Sequence, residues 1–132
     1  MNHEYYVSSE IAKLLEKAGF DWKCRKCYNK GVLFDMEPDE IRTQTPQHSS
    51  YDVLAPTLEV AQRWLREVKN CYTGIDVFVR NPDKNNTYYN RWFVYFNGVR
   101  YSGSNYDDTQ YYEDAQEAGI KKALEMILEK GK

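Results

Sequence analysis

Three stretches of this chain carry apolar residues at helical spacing, and segments rich in aromatic and β-branched residues separate them. The helical stretches begin near Ser8, Thr57 and Tyr112, and the segments between them cover 22–36 and 75–102. The resulting order is helix, strands, helix, strands, helix. This order predicts an α+β fold in which the helices pack on antiparallel sheet.

Each predicted helix has a recognisable start and one apolar face. Ser8 caps the first helix, which ends at Gly19, and Thr57 caps the second. The third is predicted from Tyr112 to Glu129, with acidic residues in its first turn. The second helix is expected to bury one stripe, formed by Leu58, Ala61, Trp64, Leu65 and Val68. The third is expected to pack through Ala115, Gly119, Ala123, Leu124, Ile127 and Leu128.

The strand segments predict one hairpin and one three-stranded meander. Residues 22–28 and 32–36 are expected to pair around a turn at 29–31. The meander is formed by Ile75–Arg80, Tyr88–Phe96 and Val99–Ser102. Asn97-Gly98 predicts a type I′ turn between the last two strands. The polar connections are 35–52, with one short strand near Ile41, and 81–86.

Length and net charge limit the classes of protein to which this chain can belong. The 132 residues fit a single domain, and the net charge of −2 disfavours a dedicated polyanion binder. The twelve tyrosines fit either a twisted sheet with an exposed aromatic face or a tyrosine-rich recognition surface.

The start of the chain and its cysteine content indicate the compartment. The chain begins Met-Asn-His-Glu-Tyr, without the basic and apolar regions of a signal peptide, and no apolar run approaches the ~18 residues that span a bilayer. Three cysteines cannot all pair with one another. A cytoplasmic protein with reduced thiols and no membrane partner is therefore expected.

The stretch "WKCRKCYNK", residues 22–30, contains two cysteines at CxxC spacing, which could bind a metal ion or act as a redox pair. A zinc site needs four ligands, and beyond this one CxxC pair only Cys71, His48 and His3 remain, at irregular spacing. In an extended strand Cys24 and Cys27 point to opposite faces. The pair also does not open a helix, as thioredoxin-like redox pairs do. No metal and no cofactor are expected.

The same stretch supports an alternative function, because it places cations beside aromatic rings. Phosphates and unstacked bases are bound by such a combination. The candidate nucleic-acid-binding residues are Trp22, Lys23, Arg25, Lys26, Tyr28 and Lys30.

The stretch from Tyr106 to Glu117 has the opposite character, with five carboxylates and no cation. Tyrosine and carboxylate side chains suit contact with a basic protein partner. The sequence contains no nucleophile elbow, P-loop, dinucleotide fingerprint or HExxH motif, so a non-enzymatic protein-interaction domain is expected. The candidate partner-binding residues are Tyr101, Tyr106, Asp107, Asp108, Tyr111 and Tyr112.

Two helix starts share residues at matched offsets. Leu58-Glu-Val-Ala-Gln62 aligns with Tyr112-Glu-Asp-Ala-Gln116 through Glu, Ala and Gln. The match indicates either two related strand-plus-helix units or the convergence of two amphipathic helix starts.

The phrases "MNHEYYVSSEIAKLLEKAGFDW", "APTLEVAQRWLRE" and "YEDAQEAGIKKALEMIL" resemble a group of small uncharacterised Bacteroidales proteins found in prophage-like and mobile-element settings. The likeness runs from residue 1 to about 128. It implies a small soluble α+β domain of bacterial or phage origin, and it carries over no catalytic or binding residue.

The last 60 residues or so also resemble the antitoxin of HicAB-type pairs, in which a three-stranded sheet precedes an acid-rich helix start such as Tyr112-Glu-Asp-Ala115. This chain stops at Lys132 and does not show the usual DNA-binding tail. The resemblance therefore implies a partner-neutralising role and puts transcriptional autoregulation in doubt.

Overall fold

The computed structural model describes residues 5–36, 53–79 and 87–130. Its helices are α1 (Ser9–Lys17), α2 (Leu58–Lys69) and α3 (Tyr112–Lys130), with a short 3-10 helix at Asn105–Asp107. Its strands are β1 (Lys26–Asn29), β2 (Val32–Asp35), β3 (Val53–Leu54), β4 (Tyr72–Val79), β5 (Tyr88–Phe96) and β6 (Val99–Ser102). The predicted α+β class is confirmed.

The strands form two separate antiparallel sheets of three strands each. The first sheet has the order β2-β1-β3, so β1 pairs on both sides. The second has the order β4-β5-β6, and β5 is central. In its register, Ile75 faces Trp92 and Tyr101 faces Val94. The second sheet is the predicted meander.

One apolar core connects all three helices with both sheets. It contains Ile11 and Leu15 of α1, Trp64 and Leu65 of α2, and Ile120 and Leu124 of α3, together with Val53, Trp92 and Val94 from the sheets. Helices α2 and α3 both lie on one face of the second sheet, where Gly119 packs against Trp92. Burial of these side chains is the main favourable contribution to folding.

The predicted helix caps and the predicted turn are confirmed. The backbone N–H of Ile11 donates to Ser8 Oγ, and that of Val60 donates to Thr57 Oγ1, both at 3.2 Å. Asn97 and Gly98 have φ values of 54° and 78°. Positive φ at both central residues is the requirement of a type I′ turn, which leads β5 directly into β6.

Four details of the predicted elements are wrong. Strand β4 begins at Tyr72 and not at Ile75, and the predicted hairpin gains a third strand, β3, which pairs with β1. Strand β1 begins at Lys26 and not at residue 22, because the chain before it packs on the core through Phe20 and Cys24 instead of pairing. Val68 is 51% exposed although it continues the apolar stripe of α2, because it lies at the end of the helix, beside a shallow concavity. The short strand expected near Ile41 and the loop at 81–86 lie outside the described residues.

The two matched glutamines meet in space. Gln116 Nε2 donates to Gln62 Oε1 at 2.6 Å, and Gln62 Nε2 donates to Thr73 Oγ1 at 2.8 Å. This chain of hydrogen bonds links α3, α2 and β4 beside the core. A three-stranded sheet precedes each of the two helices, but the strand orders of the two sheets differ.

We predict that Leu65→Ala and Val68→Ala differ sharply, although the same helical stripe carries both residues. Leu65 is completely buried, so its truncation should lower the free energy of unfolding by about 2–5 kcal/mol. Val68→Ala should change it by no more than about 0.5 kcal/mol. Urea unfolding followed by circular dichroism measures both. Equal losses for the two variants would show that the end of α2 is buried after all.

Candidate interaction surface

Strand β5 separates two kinds of side chain by strict alternation. Asn90, Trp92 and Val94 are buried beneath the helices. The residues between them point to the other face of the sheet, because successive side chains of a strand alternate. Arg91 and Phe93 are half-buried there, and Tyr95 is exposed.

The register extends this second face across the three strands, and we name it the open face. Tyr72, Asp76 and Phe78 of β4 stand opposite residues of β5 that point the same way, and so do Arg100 and Ser102 of β6. The open face comprises Tyr72, Gly74, Asp76, Phe78, Tyr89, Arg91, Phe93, Tyr95, Arg100 and Ser102. It combines five aromatic rings with two guanidinium groups.

The centre of the open face depends on a glycine. A Cβ built at Gly74 would lie 2.3 Å from the ring of Phe93, its cross-strand neighbour. The ring therefore lies flat over the glycine backbone. A ring in this position covers a strand glycine and helps to fix the register of the pair.

Both arginines lie over aromatic rings. The guanidinium carbon of Arg100 is 4.5 Å from the ring centroid of Phe93 and 5.7 Å from that of Tyr95. Arg91 lies 5.1 Å from the ring of Phe78 in the same way. The rings also contact one another, Phe93 with Tyr95 at 5.6 Å and Phe78 with Tyr89 at 6.3 Å. These contacts hold the side chains in place before any partner binds.

Each arginine is also paired with a carboxylate. Arg100 of β6 forms an ion pair across the open face with Asp76 of β4, on the opposite edge of the sheet. Arg91 binds Asp108 through two hydrogen bonds, Nε to Oδ1 at 2.7 Å and Nη2 to Oδ2 at 2.9 Å. The hydrogen bond to Asp108 raises the pKa of Arg91. Both positive charges of the open face are thus neutralised within the protein.

A segment that we name the rim, Ser104–Thr109, borders the open face beside β6. The backbones of Thr109 and Asn90 exchange hydrogen bonds of 3.1 and 2.7 Å. Asp107 accepts from the backbone N–H and the hydroxyl of Ser104, at 2.7 and 3.2 Å, closing a capping box. The Asp108 side chain is 0% exposed. The rim is therefore fixed to the sheet by Asp108 and by the backbone of Thr109, while Asp107 holds the rim's own 3-10 helix.

The six candidate partner-binding residues do not share one face. Tyr106 is 99% exposed on the rim, and Tyr111 and Tyr112 are exposed where α3 begins. The carboxylate of Asp107 caps the 3-10 helix, and that of Asp108 binds Arg91. Tyr101 lies on the helix-covered side of the sheet, since it stands opposite Val94. There it lines a shallow concavity with Phe96, Lys122 and Met126.

The alternative set divides into two half-buried rings, one half-buried lysine and three exposed cations. Tyr28 packs on the core and donates its hydroxyl to the Val7 carbonyl at 2.7 Å, and burial raises its pKa, with a further contribution from Glu117. Trp22 packs on the same core beneath Arg63. Lys26 forms an ion pair with Asp35 at 2.7 Å. The remaining members, Lys23, Arg25 and Lys30, are exposed.

All three cysteines are buried and free of disulfides. Cys24 precedes β1, so the two thiols do not share one strand as expected; Cys24 lies in the main core, and Cys27 lies beside Met36 in a second small cluster. Burial raises the pKa of Cys24 to about 12, with a smaller contribution from Cys27, and burial raises that of Cys71 to about 11. A thiol with such a pKa is a poor nucleophile at neutral pH.

The described residues contain neither a metal-binding cluster nor a membrane-spanning helix. Within 5–36, 53–79 and 87–130, no group of three His, Cys, Asp or Glu residues is placed to hold a metal ion. No helix in the same ranges combines the length and the apolarity that crossing a membrane requires.

Most of the open face was missed when the sequence was read for sites. No sequence motif marks its main members, which are Tyr72, Phe78, Arg91, Phe93 and Tyr95. The high tyrosine content predicted an exposed aromatic sheet face, but it did not identify these residues. The alternation within "YYNRWFVYF" was the available signal, since buried and open side chains follow one another there.

Comparison with protein families, with curated proteins and with solved structures finds no match to this chain.

We predict that Asp108→Ala loosens the rim, because Arg91 then loses two of the three hydrogen bonds that connect it to this segment and keeps only the one to Asn105 Oδ1. Amide hydrogen exchange at 105–109 should accelerate at least about tenfold as the segment opens locally. Asp76→Ala is the matched control, since it removes the exposed carboxylate partner of the other arginine. That variant should leave exchange at 105–109 unchanged. Equal exchange in both variants would show that Asp108 does not hold the rim.

We predict that the native protein reacts with thiol reagents very slowly. At pH 8 a thiol of pKa about 12 is ionised to about one part in ten thousand, and its burial further limits access. Titration with Ellman's reagent should detect almost no thiol in the folded protein and three in denaturant. Rapid reaction of one or two thiols in the folded state would contradict the burial of Cys24 and Cys27.

Proposed function

We propose that this chain is a non-enzymatic protein-interaction domain whose open face binds a protein segment carrying lysine or arginine beside apolar side chains. The observation that supports this proposal most strongly is the ordered array of rings and paired arginines on one uncovered sheet face. Tyrosine and arginine are enriched among the residues that contribute most to binding at protein interfaces. Their order in the free protein lowers the entropic cost of association.

The charges favour a basic protein segment over a polyanion. The open face and the rim together contain two arginines and three carboxylates, namely Asp76, Asp107 and Asp108. Both arginines are already paired, so a phosphate would have to displace Asp76 or Asp108. Glu113 and Asp114 add further negative charge where α3 begins. A cationic partner would be attracted to this side of the molecule, and nucleic acid would be repelled.

The exposed tyrosines of the rim and the start of α3 extend the proposed contact area. Tyr106 reaches farthest into solvent, and Tyr111 and Tyr112 follow it. In this arrangement Asp107 and Asp108 hold the rim and contribute charge but little direct contact. Tyr101 plays no part in the proposed surface, because it faces the helix side.

The biological setting belongs to the same proposal. The resemblance to Bacteroidales prophage-type proteins suggests a partner encoded by the host or by the mobile element. A basic toxin neutralised by this domain, as the HicAB-type resemblance implies, would also present the cationic surface that the open face fits.

Nucleic-acid binding through residues 22–30 is retained as the alternative. The exposed cations of this stretch, Lys23, Arg25 and Lys30, support it. The packing of Trp22 and Tyr28 on the core argues against base stacking there, because stacking needs a ring face open to solvent.

We predict that one variant of β5 weakens partner binding while its matched control does not. Proteins captured from a Bacteroidales lysate by the wild-type chain are identified, and the affinity of each is measured by calorimetry. Tyr95→Ala should weaken binding of the true partner at least about tenfold, since it removes a central ring of the open face. Tyr88→Ala removes an exposed tyrosine from the same strand, on the helix side, and should leave the affinity unchanged.

Two further arms of this experiment separate the alternatives. Tyr106→Ala combined with Tyr111→Ala should weaken binding less than Tyr95→Ala does. A (dT)20 oligonucleotide should show no binding at low ionic strength. Capture that is unaffected by Tyr95→Ala would overturn the proposal, and salt-sensitive oligonucleotide binding lost in Lys23→Ala would favour the alternative.

A further inference from the structure

Strand β4 forms one edge of the second sheet. It pairs with β5 along all eight of its residues, Tyr72–Val79, and it has no other strand partner among the described residues. Its outer side therefore presents a row of backbone N–H and C=O groups. The opposite edge is the much shorter β6, with four residues.

Strand β4 lacks the devices that usually protect an exposed edge. It contains no proline and no lysine, and its single charged residue, Asp76, is paired with Arg100 across the open face. Val77 is 56% exposed on the helix side of the sheet, and Tyr72 is exposed on the open face. A long, weakly charged edge with exposed apolar side chains is a template for pairing with another strand.

The sequence of β4 matches itself when it is read in reverse about Ile75. Tyr72 and Phe78 are aromatic, Thr73 and Val77 are β-branched, and Gly74 and Asp76 flank the centre. In an antiparallel pair of two copies centred on Ile75, aromatic residues would meet aromatic residues on the open face. The β-branched residues would meet on the helix side. Cross-strand pairs of both kinds stabilise a sheet.

Neighbouring registers are less favourable. Residues opposite one another in a sheet point to the same face, so the centre can move only to another residue of the strand. Centring the pair on Asp76 would place two carboxylates directly opposite each other, which is destabilising. Centring it on Gly74 would set Tyr72 against Asp76 and leave Phe78 without a partner. The register centred on Ile75 avoids both conflicts.

We infer that two copies of this chain associate through β4, antiparallel and centred on Ile75, into one continuous six-stranded sheet. The two open faces then lie side by side on the same surface of that sheet. The interface is isologous, as expected for a two-fold dimer. This inference does not rest on the proposed function, because it depends on the edge of the sheet and not on what binds the open face.

The first test compares lysine substitutions on the two edge strands. Val77→Lys places a charge on β4 beside the inferred interface, whereas Val99→Lys places one at a similarly exposed valine of β6. Sedimentation velocity of the wild type should show a species of twice the 15.7 kDa chain mass. Val77→Lys should weaken the dimer at least about tenfold, and Val99→Lys should leave its dissociation constant unchanged.

The second test reads the register directly. A cysteine at position 75 would face its own copy, whereas cysteines at position 77 would be offset by four residues, or roughly 13 Å. A short bifunctional thiol reagent should therefore give a covalent dimer of Ile75→Cys and little of Val77→Cys. The native thiols are all buried and serve as an internal blank in the wild-type chain.

Three results would overturn the inference. A wild-type chain that stays monomeric at millimolar concentration excludes a useful β4 interface. A dimer lost in Val99→Lys but kept in Val77→Lys places the contact on β6. Cross-linking of Val77→Cys as fast as Ile75→Cys contradicts the register. Circular dichroism of each variant verifies that it is folded.

Discussion

Helix α3 meets the second sheet at a residue that has no side chain. A Cβ at Gly119 would stand 3.2 Å from the Cβ of Trp92, so the glycine lets the helix backbone lie directly against the strand. This contact commits Trp92 and its neighbours on the same face of β5 to the core. Among the described residues no helix or strand covers the opposite face, and the properties of that surface follow from this division.

The open face carries five aromatic rings, and charged side chains on the same face accompany them. Arg100 and Arg91 lie over the rings and carry charge into solvent, while Asp76 and Asp108 compensate that charge. The surface is consequently ordered and close to neutral. Such a surface remains compatible with water, and few of its side chains would have to be immobilised if a protein partner bound there.

The sequence predicted the regular elements well because their signals are local. Helical periodicity, the Ser8 and Thr57 caps and the Asn97-Gly98 turn each act over a few residues, and each was found as expected. Periodicity shows which side of a helix is apolar, but it does not show how far along that side other elements pack. Val68 was therefore expected to be buried, whereas it is exposed. Strand β1 was predicted too long, because core packing by residues 20–24 prevailed over strand propensity.

The surface itself was harder to predict, since it depends on contacts between distant parts of the chain. The alternation of β5 shows that two faces differ, but only the position of α3 decides which face is buried. The hydrogen bond between Arg91 and Asp108 joins residues seventeen positions apart. Because of it, part of the acidic segment has a structural role that the sequence did not indicate. Asp107 and Asp108 resembled free contact residues in the sequence, whereas in the structure they hold the rim.

Helices cover one face of β5, while the other face meets solvent. Nuclear magnetic resonance with a soluble gadolinium relaxation agent tests it most directly, with assigned ring protons read on a dilute sample. The account predicts strong relaxation enhancement for Tyr72 and Tyr95, intermediate enhancement for Phe93, and almost none for Trp64 and Trp92. Protection of Tyr95 and Phe93 equal to that of Trp92 would contradict it, because both faces of the strand would then be covered.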